Sequence, residues 1–512
     1  MKRWLSLFLF TVASYAATPY VAQTSAGGNT GADCTNARAV SSLTSGDWAA
    51  GNTIHLCGTI TSTLTVQGSG SSGNVVTVKW ETGARISQAV AQGVNLNGAA
   101  AYLLFDGGIP CGPSTACDTI EAANQTGYAT GQTGIIEATA NGSALANQNN
   151  TSQAFYGCNG CHDIEIRNLI IRNLYIHTSL SDTTSSVDSF ADAFTCPGNN
   201  SGCATGTISI HDSTIHDTGN ALEIAITSAT TVNIYKIDFY RDNWAASLSG
   251  TGTRTLNFHD NHIHDTANWD TTSDAFHHNG LHVFMANAAD STAINFYNNL
   301  SDGDWGADST SLSFYIDTGG FGVPNNVNAF NNVCLQHSGN LQPCWYFAAT
   351  TGVFLNNTAI GTGNGVALNI GGTNLTIKNN VITGWQQYLT VAAGATFAAF
   401  DYNTYGSFAA SGCDTWGYHS GGCSGATTFT SWKSTCSCDS HGQQNNTLLL
   451  NANGTIQSGS PVIGAGTSLT SLSITALNSD ATGNARPATG AWDIGAYNYL
   501  TSGVNAGGSL FW

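Results

Sequence analysis

Six of the fourteen histidines in this 512-residue chain fall between His259 and His282, in a sequence where only 9% of residues are charged. Imidazoles titrate near neutral pH and serve as general acids or bases. Around them stand Asp265, Asp274, Asp302 and Asp304, with Glu223 further upstream. Two carboxylates flanking a glycosidic bond can hydrolyse it. A base beside a uronate, with a cation to neutralise the substrate carboxylate, can instead eliminate across it. The candidate catalytic residues are therefore His264, His277, His278, His282, Asp265, Asp274 and Arg241. Arg172, His216, Tyr240, Glu223, Asp302 and Asp304 are candidates for holding substrate, and Trp244, Trp269 and Trp305 offer faces for sugar rings. No HExxH spacing is present, so no metal ligand is assigned. A calcium ion at Asp302, Asp304 and Asp308 is the nearest approach to a cofactor, and that segment lacks the twelve-residue loop pattern.

A repeat must position these residues. The pattern apolar, polar, apolar, polar, turn recurs, as in Leu256-Asn257-Phe258-His259-Asp260-Asn261 and Ile294-Asn295-Phe296-Tyr297-Asn298-Asn299. Its last residue falls at Leu169, Ser213, Ile237, Asn261, Asn299, Asn332, Asn357, Asn380 and Asn403. The gaps are 44, 24, 24, 38, 33, 25, 23 and 23, so a coil of about two dozen residues carries inserted loops at three places. Alternation with period 2 reads as short strands with one buried face, and units this small bury that face only by stacking. The asparagine at one register predicts a ladder of stacked amides at a tight bend. Three residues beyond each anchor come Arg172, His216, Tyr240, His264 and Asp302, an outward column. Ile171, Ile215, Phe239 and Ile263, one step earlier, point inward. The pairs His211-Asp212, His216-Asp217, His259-Asp260 and His264-Asp265 read equally well as stacking, hydrogen-bonding rungs.

Composition narrows the function further. Lys2 and Arg3, the apolar run Trp4–Val12 and small residues to Ala17 read as a signal peptide over 1–17. The remaining chain is more acidic than the formal −18 of the whole, which argues against a nucleic-acid partner. No later stretch is long and apolar enough for a membrane span. Fourteen cysteines, many in close pairs, point to disulfides and a secreted protein: Cys111/Cys117, Cys158/Cys161, Cys196/Cys203, Cys334/Cys344 and Cys413/Cys423, with Cys436/Cys438 left open.

The coils resemble the right-handed parallel β-helix superfamily that includes the pectate lyases. The stretch Asp493-Ile494-Gly495-Ala496-Tyr497-Asn498-Tyr499 is similar to an end motif of secreted β-helix proteins that reads DIGAYEY, with Asn498 departing from it. The resemblance implies an all-β, right-handed parallel β-helix, a solenoid with an N-terminal cap over 18–60, coils over 61–409 and C-terminal coils and cap over 410–512. It also tips the expected activity toward elimination by a polysaccharide lyase, and the chain is expected to act as a monomer on its polysaccharide. A glycoside hydrolase on the same groove and a non-catalytic adhesive β-helix are the alternatives.

Overall fold

The computed structural model describes residues 18–500 except 114–133, 142–151, 176, 184–190, 197–201, 227–229, 251–253, 274–275, 285–290, 309–310, 319–321, 337–342, 364, 408–415 and 419–427. The signal-peptide reading, Asp274, Cys117, Cys413 and Cys423 lie outside the described residues.

Alternating sequences become strands, and every strand-to-strand ladder between coils is parallel. A coil carries three strands, illustrated by Arg254–His259, His262–His264 and Asn279–Phe284. The first and second strands of successive coils form one sheet, and the third strands form another of 12 strands. The result is a parallel β-helix. Its register reproduces the gaps read from sequence: Asn233 faces Asn257, Asn257 faces Asn295, Asn295 faces Asn328 and Val353 faces Thr376.

Each coil turns sharply after its first and second strands. The turning residues have positive φ, at Asp260 (56°), Asn298 (54°) and Asn331 (55°) for the first bend, and at Asp217 (56°) and Asp265 (55°) for the second. Asn and Asp tolerate this left-handed conformation better than other side chains. The residue after the first bend is the ladder asparagine itself, which is fully buried. Nδ2 of Asn261, Asn299, Asn332, Asn357 and Asn380 donates to Oδ1 of the next asparagine at 2.9–3.1 Å, and each backbone N–H joins the same acceptor. Asp439 ends the ladder by accepting from Asn403 N and Nδ2. The ladder was legible in the sequence. The unusual dihedral, however, belongs to the residue before it.

The core is a continuous column of inward side chains, including Ile171, Ile215, Phe239 and Ile263 at 2% exposure or less. The helix Phe429–Cys436 closes the far end by setting the buried Trp432 against Phe400. Residues 448–499 then run back along the flank rather than over the end. They cover Leu300, Val333 and Leu335 with Ala496 and Tyr497, Phe330 and Leu355 with Trp492, and Val381 with Ile494. The bend asparagines hold this strap: Asn331 donates to Ser479 O, Asn356 to Asp493 O and Gly495 O, and Asn379 to Thr467 O. Arg486 donates to Asn331 Oδ1 and to Oδ1 of Asn498, the position that departs from the end motif.

Five disulfides join described cysteines. Cys158–Cys161, Cys196–Cys203 and Cys334–Cys344 match the sequence pairs, Cys436–Cys438 settles the open one, and Cys34–Cys57 spans a coil-length separation that the close-pair reading overlooked. No helix among the described residues is long and apolar enough to cross a membrane.

Candidate functional site

The predicted column exists in register. Arg172 pairs with His216, His216 with Tyr240, Tyr240 with His264, and His264 with Asp302. Its upper half is closed. Arg172 is 2% exposed and donates to Glu137 through Nε and Nη2, at 3.0 and 2.8 Å. His216 is equally buried and stacks on Tyr240 at 4.4 Å. Asp217 sits at the second bend and gathers His216 Nδ1 at 2.5 Å, Arg241 Nε and Nη2 at 2.9 Å each, and the Tyr175 hydroxyl at 2.8 Å. Burial alone would raise the Asp217 pKa, but His216 and Arg241 outweigh it and hold the carboxylate well below the usual range. Both guanidinium groups proposed to meet a substrate carboxylate are thus engaged by acids of the protein itself.

Aspartate at the bend also explains the His-Asp pairs. In His211-Asp212, His216-Asp217, His259-Asp260 and His264-Asp265 the imidazole Nδ1 contacts the carboxylate of the next residue at 2.5–2.7 Å. The imidazoles stack on neighbouring coils, as in the run His211, Tyr235, His259, Tyr297 and Phe330, whose centroids are 4.5–5.1 Å apart. For His211, His216 and His259 the reading as rungs accounts for the geometry.

Below Tyr240 the column opens to solvent. His264 and Asp302 are half-buried, and His262, on the same outward side of the strand, joins them. His262 Nε2 lies 2.7 Å from Asp302 Oδ1, and His264 Nδ1 lies 2.6 Å from Asp265 Oδ2. Asp238 on the adjacent coil faces both rings, at 3.1 and 3.3 Å. Sequence reasoning missed Asp238 and His262. Reading the register one residue past each anchor would have found them, since Asp238 and His262 pair directly. Gly303 (φ 72°) brings the Asp304 N–H to Asp265 Oδ1 at 2.8 Å, where a Cβ would collide with that carboxylate. Asp304 itself is exposed, while Asp308 lies with Asp270 and His278, so Asp302, Asp304 and Asp308 do not form one convergent group among the described residues.

The insertion after Asp265 folds into a plug between the second and third strands. Trp269 is 1% exposed and packs with Tyr175, His177 and Phe276, and its indole N–H donates to Arg241 O. Trp305 is fully buried in the main core. Neither indole can carry a sugar, because each sits where its apolar area closes a packing gap. His278 is fully buried as well, with Nδ1 3.0 Å from Asn243 Oδ1 and Nε2 3.2 Å from Asp270 Oδ1.

The other predicted residues share a different face, formed by the third strands. Glu223, Ser247, His282, Tyr315 and Tyr346 occupy one register on five successive coils. Trp244, Phe284, Tyr315 and Tyr346 are half-buried on this surface. Their rings run in sequence: Trp244 to Phe284 at 5.9 Å, Phe284 to His282 at 3.8 Å, His282 to Tyr315 at 4.5 Å and Tyr315 to Tyr346 at 5.7 Å. His277 borders the row, 5.3 Å from Trp244. Burial raises the Glu223 pKa against a single lowering hydrogen bond from Thr195. Burial pushes His282 down to about 2 and Tyr315 up to about 12, so both stay neutral over the working range. Phe284, Tyr315 and Tyr346 carry no motif and were missed. Only the third-strand register, in which no single residue type recurs, places Tyr315 and Tyr346 together, with Phe284 two residues along the strand from His282.

The predicted residues therefore divide between a second-strand strip and a third-strand face, with the plug between them. This defines a class, a disulfide-bonded parallel β-helix protein with two ionisable surfaces. No protein-family model matches the chain, and no curated protein matches it. Among solved structures it is similar to the surface adhesin PfbA of Streptococcus pneumoniae, 10% identical over 67% of this chain and 86% of that one, at a TM-score of 0.39. Pectate lyase Pel9A is 13% identical over 95% and 97%, at 0.31. A mannuronic-acid-specific polysaccharide family 6 lyase from human gut microbiota is 11% identical over 73% and 87%, at 0.29. At such values the likeness says nothing of activity, and the fold rests on the ladders described above.

Proposed function

We propose that this chain is an extracytoplasmic enzyme that binds an extended polysaccharide along the third-strand face and cleaves it, with Glu223 protonating the departing glycosidic oxygen. One observation carries the reading: half-buried rings on consecutive coils line a face headed by a carboxyl that burial keeps protonated above the ordinary range. Sugar rings stack on such aromatic surfaces, and a raised carboxyl is the state in which a glutamate donates a proton. The five disulfides support an oxidising compartment. Elimination is the route we favour: His277, half-buried at the edge of the row, takes the proton from the carbon beside the uronate carboxylate, the carbon–carbon double bond forms, and Glu223 gives its proton to the departing oxygen. Hydrolysis would place a second carboxylate about 5–9.5 Å from the first, whereas Asp317, on the coil of Tyr315, lies three coils from Glu223, about 14 Å by strand spacing.

A second reading, binding without cleavage, is favoured by the burial of His282, which removes a proton acceptor from the surface of the row. A panel of neutral and uronate polysaccharides separates the two. Elimination gives products with ultraviolet absorbance from the new double bond, hydrolysis gives reducing ends without it, and binding alone gives neither. Glu223→Gln should lower turnover by about 10²–10⁴-fold while leaving glycan affinity within a few-fold. Unchanged turnover in that variant would remove Glu223 from the chemistry.

A further inference from the structure

His262-Ile263-His264 places two imidazoles on one side of a strand, because Ile263 between them points into the core. The adjacent coil sets Asp238 directly against His262. One ligand atom from each of Asp238, His262 and His264 lies within 4.8 Å of the other two. Asp238 Oδ1 is 3.1 Å from the first nitrogen and 3.3 Å from the second, yet among the described residues it makes no aligned hydrogen bond. The far side of each ring is anchored independently: His262 Nε2 on Asp302 at 2.7 Å and His264 Nδ1 on Asp265 at 2.6 Å. A histidine that ligates a metal characteristically donates its other ring N–H to a carboxylate, which fixes the tautomer and aims the remaining nitrogen. Both histidines satisfy that rule at once. The rungs at His211 and His259 also carry a carboxylate on Nδ1, but neither belongs to a convergent group of three such ligands among the described residues.

We propose that Asp238, His262 and His264 bind one divalent transition-metal ion, with Asp302 and Asp265 as the carboxylates that orient the two imidazoles. Two nitrogens and one oxygen suit a borderline cation such as Zn2+ better than calcium, which takes six to eight oxygens. The ion would offset the negative charge that Asp238, Asp265 and Asp302 bring to a small area. The side chains of Asp238, His262 and His264 are 19–25% exposed, so the ion can enter from solvent. Three protein ligands leave at least one coordination position for water or for an oxygen of a bound substrate. The site lies on the second-strand strip and does not depend on the glycan reading of the other face.

The test uses the folded chain, stripped with chelator and titrated with Zn2+ by calorimetry and with Co2+ by visible absorption. One ion per chain should bind, and Co2+ should develop ligand-field bands. His262→Ala and His264→Ala should each abolish binding, and Asp302→Asn, which preserves shape, should weaken it about 10–100-fold. His259→Ala, on a neighbouring rung, should bind as the parent does, and circular dichroism should show each variant folded. Absence of binding in the parent, or full binding in folded His262→Ala, would overturn the proposal. So would loss of binding on His278→Ala alone, which would transfer the ion to the group Asp270, His278 and Asp308.

Discussion

At the scale of single residues, the most consequential group is Asp217. It is fully buried and is the shared partner of His216, Arg241 and Tyr175. Removing one member of a buried ionic network leaves the others uncompensated, at about 3–5 kcal/mol. Asp217→Ala should therefore lower the unfolding free energy by an amount in that range, read from a lower denaturant midpoint, without touching the third-strand row. Because the Asp217 pKa is held below its unfolded value, its contribution is fully present above the ordinary carboxylate range and is lost as pH falls through it. Denaturation of the parent and of the variant at pH 7 and pH 3 should show their difference shrinking on the acid side. Glu223 has the opposite sign, since burial raises it, so its protonated form persists to higher pH. Turnover should fall as pH rises through that raised value, and a pH profile with no such limb would count against its role as donor. Outward positions such as Arg172 and His264 were legible in the sequence because register is a matter of counting. That Glu137 lies against Arg172 was not, because the two meet across coils whose connection includes inserted loops.

Among the repeating elements, the asparagine ladder shows what one register position does for many coils. Asn332 Nδ2 serves both Asn357 Oδ1 and Phe296 O, while Asn332 Oδ1 receives two donors from Asn299. Asn332→Ala would strand donors and acceptors on two neighbouring coils, at about 2–4 kcal/mol, measurable as a lower melting temperature. At the end of the ladder, burial raises Asp439 to about 6 although Asn403 and Tyr405 donate to it. A carboxyl with a folded pKa above its unfolded value favours the fold most below the ordinary range, and that benefit fades as pH rises toward 6. Asp439→Asn keeps an acceptor for Asn403 without the buried charge. It should raise stability at pH 7 by about 1–3 kcal/mol and change little at pH 4, as thermal melts at the two values would show. The ladder could be read in advance because its residue type recurs at a fixed interval. The aromatic row could not, because Trp244, Phe284 and Tyr315 share neither type nor interval.

Across the whole molecule, the strap at 448–499 divides one flank into a covered and an open part. The column past Asp302 continues as Leu335, Ile360 and Thr383, and these coils look bland in sequence because they are meant to be covered. The ionisable stretch from Arg172 to His264 precedes the coil of Leu300 and Asp302, where the strap first covers the flank with Ala496 and Tyr497. Ending the chain at residue 447 should therefore expose Leu300, Val333, Leu335, Phe330, Leu355 and Val381 together. Patches of this kind promote association. The shortened protein should aggregate or bind a hydrophobic dye, whereas a soluble, dye-negative product would show the strap to be dispensable.

The strap also has a consequence in time. Arg486 reaches Asn331 across 155 residues, and the bends at Asn356 and Asn379 wait on partners 137 and 88 residues away. During synthesis those coils emerge long before the segment that shelters them. Assembly of the flank therefore cannot finish until the strap has appeared as far as Tyr497, and widely separated contacts of this sort form slowly. Until then the nascent solenoid presents a sticky side that must be kept apart from its neighbours.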